Sequence, residues 1–156
     1  MSNKDLTKTV RKGEELQEEN LKHFLVQQDL ITNENSPMAI SQFYNGYSNL
    51  TYLLKIEDKE YVLRRPPFSA PKRGHDMGRE FKVLSKLHEV FTKTPKTFAY
   101  SEDTAILGAP FYIMNKVEGI ILTAKEARER KISPNAFKTI ADTWLNTFVA
   151  LHQVDY

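Results

Sequence analysis

Residues 50–67 constrain the fold more than any other stretch of the chain. Leu50 to Ile56 and Tyr61 to Arg65 are rich in aliphatic, β-branched and aromatic residues, the polar cluster Glu57-Asp58-Lys59-Glu60 lies between them, and Pro66-Pro67 closes the second run. Such side chains pack well on a pleated surface, a connection this short permits only an antiparallel pair, and proline cannot donate to a continuing ladder. Upstream, Ala39 to Phe43, entered at Met38, reads as another strand, joined to Leu50 by a turn over Tyr44 to Ser48 centred on Gly46. The result is a three-stranded meander, which is stable only when its apolar face is covered.

The neighbouring segments can supply that cover. From Gly13, the apolar positions Leu16, Leu21, Phe24, Leu25 and Leu30 predict an amphipathic helix ending near Asn33, while residues 1–12 are polar and read as a tail. After the Pro-, Gly- and basic-rich loop Ser69 to Gly74, Met77, Phe81, Leu84, Leu87 and His88 recur at helical spacing over 76–88, with Asp76 as the cap. Lys96 to Tyr100 and Phe111 to Met114 are too short for helices and complete a five-stranded antiparallel sheet in the order β-β-β-α-β-β. Beyond Gly119 the pattern turns helical. Thr123 and Glu126 are spaced as a capping box, and Ser133-Pro134 gives a cap followed by a first-turn proline. The fold class is α+β. Residues 13–117 form one lobe, and 118–156 form a hinge and the start of a helical one.

The last helix, 134–152, places Phe137, Ile140, Ala141, Trp144, Leu145, Phe148 and Leu151 on one stripe. A face that apolar is expected to be covered by further chain, by a partner, or by a second copy of itself. Composition narrows the function classes. With 22 Lys+Arg against 20 Asp+Glu the chain is nearly neutral, which argues against a dedicated nucleic-acid binder. The absence of cysteine removes thiolate metal sites and thiol nucleophiles, and suits a cytoplasmic setting. No stretch approaches the roughly 18 consecutive apolar residues of a spanning helix, so no membrane is expected.

Glu80 is the most informative polar residue. It lies three positions after Met77 and four before Leu84, which puts a carboxylate on the inward stripe of its helix. Such a group needs a cation, and the third strand offers Arg64 on one face and Arg65 on the other. The pair is either a structural ion bridge or a phosphate clamp, in which Glu80 orients a guanidinium for bidentate contact with phosphate oxygens. The turn Phe43 to Asn49 fits either an ordinary hairpin or a phosphate-binding loop of backbone N–H groups and a hydroxyl.

A glycine turn between strands one and two, a cation ending strand three, a glutamate on the next helix, and an apolar fifth strand running to Met114 and Val117-Glu118-Gly119 follow the order of a kinase small lobe. Five stretches carry a closer likeness: Val10 to Leu16, Gly46 to Tyr52, Tyr61 to Pro67, His75 to Glu80 and Gly108 to Met114. In these the chain resembles the aminoglycoside phosphotransferase-like family, and within it the kinase domains associated with acyl-CoA dehydrogenases.

The resemblance implies a protein-kinase-like small lobe that uses ATP and Mg²⁺. Gly46, Ser48 and Asn49 are then expected over the ATP phosphates, Arg64 where most kinases place a lysine, and Glu80 as its helix partner. Val62 and Met114 are expected to line the adenine slot, with the Asn115 carbonyl and the Val117 N–H at the adenine edge. The implied acceptor is a small-molecule hydroxyl, with a hydroxy acid or hydroxyacyl thioester favoured over an antibiotic. The family's catalytic loop lies beyond the helix ending near Leu151-His152, so no catalytic residue is expected among these 156 and the chain alone is expected to be inactive. A different class is a non-catalytic binding module that uses the apolar face of helix 134–152.

Overall fold

The structure, a computed structural model, describes residues 7–44, 48–68 and 76–155. It divides into two units, Ser2–Val117 and Glu118–Tyr156. The first contains one antiparallel sheet of β1 (Thr7–Lys8), β2 (Met38–Phe43), β3 (Leu50–Ile56), β4 (Lys59–Arg65), β5 (Thr97–Ser101) and β6 (Phe111–Asn115), in the spatial order β1-β2-β3-β4-β6-β5. The chain thus folds as an α+β, kinase-like lobe. The five expected strands are present, and a sixth, β1, extends the β2 edge. A two-residue strand has no side-chain period to read. What fixes β1 is pairing of Thr7 with Phe43 and of Lys8 with Gln42, more than thirty residues away.

Buried Gln42 ties down the segment that follows β1. Its Nε2 donates to Glu14 Oε2 at 2.5 Å, and its Oε1 accepts from the Arg11 N–H at 3.0 Å. Tyr52 adds a hydrogen bond from its hydroxyl to the Glu14 carbonyl at 2.8 Å. The stretch read as a tail is therefore anchored from Thr7 onward.

Alternation along the strands divides the side chains between two faces. On one face Tyr52, Leu54, Leu63, Phe111 and Ile113 pack with Leu21, Phe24 and Leu25 of α1 (Glu18–Gln27), and the Phe24 and Phe111 rings meet edge to face at 5.0 Å. Full burial of each such aliphatic side chain contributes about 1.5–3 kcal/mol. The helix is shorter than the apolar spacing predicts. Its chain enters through Gly13 at φ +85° and leaves at Asp29 with φ +55°, so Leu30 and Ile31 join the core as loop residues.

The opposite face receives α2 (Met77–Val90). Its Phe81 ring stacks on Tyr100 at 5.4 Å and leans on Tyr112 at 6.3 Å. A four-residue helix, α3 (Thr104–Leu107), links β5 to β6 and ends on Gly108 at φ +78°.

The second unit holds α4 (Ala124–Glu129) and α5 (Pro134–His152). Thr123 and Ser133 cap them through hydroxyl oxygens that accept from the N–H groups of Glu126 and Ala136 at 3.1 and 3.2 Å. No described residue of α5 is buried, and Trp144 is 65% exposed. Among the described residues no helix is long and apolar enough to cross a membrane.

Candidate functional site

The site is built where β4, β6 and the first turn of α2 meet. Alternation in β4 turns Val62 and Arg64 toward α2 and sends Arg65 to the other face. Asp76 starts α2 by accepting the Arg79 N–H at 2.8 Å, which places Glu80 in the first turn, where a carboxylate is favoured by the unpaired N–H groups of the helix. Arg64 Nη1 then donates to Glu80 Oε1 at 2.5 Å, with the two side chains 27% and 30% exposed. A charge-assisted pair screened this far from water holds a guanidinium in a fixed orientation.

Arg65 is not the partner. It is buried, its Nε donates to the Pro66 carbonyl at 3.1 Å and its Nη1 to the Leu107 carbonyl at 2.7 Å, and its guanidinium lies 3.6 Å from the Phe68 ring centre. Burial lowers its pKa. Its work is to join the end of β4 to the C-terminus of α3.

A cleft of about 340 Å³ adjoins the ion pair, lined by Asn49, Asp76, Met77, Arg79, Glu80, Val83 and Leu84. Asn49, at the exit of the β2–β3 connection, and Glu80 thus share one wall. Ser48 is exposed beside Asn49, and Gly46 lies outside the described residues. On the sheet, Val62 stands directly opposite Met114, and Arg64 opposite Tyr112. Strand alternation therefore puts Val62, Arg64, Tyr112 and Met114 on the α2 side together.

Asn115 ends β6, where its N–H donates to the Lys96 carbonyl at 2.9 Å and its Oδ1 accepts from the Lys96 N–H at 2.7 Å. Val117 is 60% exposed and is the last residue of its unit. The structure thus brings Asn49 and Glu80 to one cleft, Arg64 to Glu80, and Val62 beside Met114, and leaves Asn115 and Val117 at the strand's outlet.

Sequence reasoning missed Tyr112, whose buried phenol lies among the aromatic and charged side chains of the site. The signal was available, because Tyr112 is two residues before Met114 and two is the strand period. Burial raises its pKa, with Arg64 opposing and Glu80 adding to the effect. Among the described residues no three His, Asp or Glu side chains come together as a metal site.

Comparison with known proteins identifies the family. Residues 39–156 match the model of the phosphotransferase enzyme family. The chain belongs to that family. It is 30% identical over 150 residues to mouse (Mus musculus) acyl-CoA dehydrogenase family member 10, a match covering 96% of this chain and 14% of that protein. It is 33% identical over 119 residues to human (Homo sapiens) acyl-CoA dehydrogenase family member 11, covering 76% and 15%. A crystal structure from Ralstonia eutropha assigned as an aminoglycoside phosphotransferase superposes with a TM-score of 0.56 at 28% identity, covering 70% of this chain and 30% of that one. The chain therefore spans about one seventh of these curated relatives and under a third of the solved structure. The family is one of phosphotransferases, and the solved neighbour shares the kinase-like fold.

Proposed function

We propose that this chain carries the nucleotide-binding part of an ATP-dependent phosphotransferase acting on a small-molecule hydroxyl. The observation that supports it most is the Arg64–Glu80 ion pair beside the cleft shared with Asn49. A guanidinium oriented by the Glu80 carboxylate is a planar fork whose geometry suits bidentate contact with phosphate oxygens. Bound ATP with Mg²⁺ supplies the phosphoryl group to be transferred. The chain's own residues bind and orient. Gly46, Ser48 and Asn49 cover the phosphates, Val62 and Met114 flank the adenine, and the Asn115 carbonyl and Val117 N–H meet its edge. The metal ligands and catalytic base belong to family segments outside these 156 residues, which alone turn over little or nothing.

The names of the acyl-CoA dehydrogenase relatives support a hydroxy acid or hydroxyacyl thioester as acceptor rather than an antibiotic. The setting in this reading is the cytoplasm, with a nucleotide and that acceptor as partners and neither nucleic acid nor membrane. Substituting Arg64→Ala or Glu80→Ala in the protein at its natural length is expected to weaken ATP binding about tenfold or more, the worth of a charge-assisted hydrogen bond. Calorimetric titration and turnover with both variants unchanged would refute the clamp.

A second reading rests on α5, whose Phe137, Trp144, Leu145 and Phe148 are 44–65% exposed. That face supports a non-catalytic module that binds a partner or self-associates. Light scattering on the isolated chain separates the two readings, because a discrete dimer favours the module and a polydisperse chain does not.

A further inference from the structure

β6 carries a polar group that the clamp reading leaves unused. Tyr112 is 0% exposed, and its hydroxyl has no hydrogen-bond partner among the described residues. A buried donor left unsatisfied is costly enough that native folds keep few of them, and each calls for an explanation. The surroundings of this one are well defined. Tyr112 stands opposite Arg64 on β4 and opposite Tyr100 on β5, and Phe81 of α2 leans over its ring. The charged groups acting on the phenol are Arg64 and Glu80, and burial keeps it protonated far into the alkaline range. It is therefore a neutral O–H donor beside the Glu80 carboxylate that pairs with Arg64.

Glu80 has two oxygens, and Oε1 accepts from Arg64 Nη1. When Arg64 shares its guanidinium with a phosphate, Glu80 loses part of its compensation while remaining half-buried. An adjacent donor without another commitment can then hold the carboxylate in place.

We propose that Tyr112 is a positioning residue, whose hydroxyl donates to Glu80 as Arg64 engages a nucleotide phosphate and so keeps the carboxylate aligned behind the guanidinium. This rests on the reading of Arg64 and Glu80 as a phosphate clamp. It explains why a phenol occupies a strand position where phenylalanine would fill the same apolar space without an orphaned hydroxyl.

The test compares Tyr112→Phe, Arg64→Ala, Glu80→Ala and the double variant Tyr112→Phe/Glu80→Ala in the protein at its natural length. ATP affinity is measured by titration, and thermal unfolding is measured without nucleotide. Tyr112→Phe is expected to unfold at an unchanged or higher temperature, because it removes an unsatisfied group, yet to bind ATP about tenfold more weakly through loss of a hydrogen bond to a charged partner. In the Glu80→Ala background the same change is expected to alter affinity less than about twofold, since its target is gone. A purely structural tyrosine would lower the unfolding temperature and leave affinity alone. Two results overturn the assignment: Tyr112→Phe binding ATP as the parent does, or losing the same factor in both backgrounds. If Arg64→Ala leaves ATP affinity unchanged, the clamp itself falls and the role of Tyr112 falls with it. If Arg64→Ala weakens binding and Tyr112→Phe does not, only the assignment to Tyr112 fails.

Discussion

Gly78→Ala puts a methyl group where β5 leaves no room for one. A Cβ built on Gly78 lies 2.7 Å from the Tyr100 hydroxyl oxygen and 3.1 Å from its Cζ. The tyrosine cannot simply swing aside, because its ring is stacked on Phe81 and its hydroxyl donates to Glu102 Oε1 at 2.9 Å. Two effects oppose each other. Alanine is favoured over glycine in a helix by about 1 kcal/mol, whereas forcing a methyl group into a filled space costs about 1–3 kcal/mol. The net expectation is a loss of ~0–2 kcal/mol, so the single variant alone does not decide the matter. The coupling does. Tyr100→Phe removes the atom of closest approach, and Gly78→Ala in that background is expected to be at least about 1 kcal/mol less destabilising than in the parent. Urea unfolding of the parent, both single variants and the double variant gives that coupling energy directly. A stabilisation of about 1 kcal/mol by Gly78→Ala, with no coupling to Tyr100, would mean that propensity acts alone and that α2 does not approach β5 as described.

Three further substitutions probe separate parts of the molecule. Arg64→Lys keeps a cation opposite Glu80 but loses the planar fork, so ATP affinity by titration is expected to fall between those of the parent and Arg64→Ala. Arg65→Lys cannot reach both the Pro66 and Leu107 carbonyls with one ammonium, and chemical denaturation is expected to show a loss of about 2 kcal/mol or more; a neutral result would deny Arg65 its joining role. Glu60 has its pKa lowered by hydrogen bonds from Lys116 and Lys55. A depressed folded-state pKa stabilises above the ordinary glutamate range and loses that effect as pH falls through the folded-state value. Glu60→Gln is therefore expected to cost about 0.5–1 kcal/mol at neutral pH, discounted for its partial exposure, with the difference from the parent shrinking as pH falls below the ordinary glutamate range and through the folded-state value.

The parts of the fold that were legible in the sequence are those with a local period or a local cap. The alternation in Leu50–Ile56 and Lys59–Arg65, the helical spacing in Met77–Val90, and the caps at Asp76, Thr123 and Ser133 all depend on residues within a few positions of one another. The missed features depend on distant partners. β1 exists because β2 presents an edge, and α3, though capped locally by Asp103 and Gly108, is too short for a helical period and is tied down by Arg65, 42 residues earlier. Within the site, strand alternation separated Arg64 from Arg65 by face but could not say which face α2 would cover. That choice is made by the packing of Phe81 on Tyr100 and Tyr112.

Those same contacts set the reach of the proposed clamp. An ion pair between a strand and a helix can form only if the two backbones stand at one particular separation, and the side chains of Arg64 and Glu80 are too flexible to enforce it. Shape enforces it instead. Gly78 lets the first turn of α2 approach the Tyr100 hydroxyl, Phe81 stacks on the Tyr100 ring, and Tyr112, next along the sheet, supports Phe81 from β6. Glu80 lies between Gly78 and Phe81, so its backbone is fixed on both sides by contacts that involve no charge. The carboxylate therefore meets Arg64 without having to draw the helix inward. It follows that loosening the aromatic stack, for example with Phe81→Ala, would weaken phosphate binding while leaving both charges in the sequence.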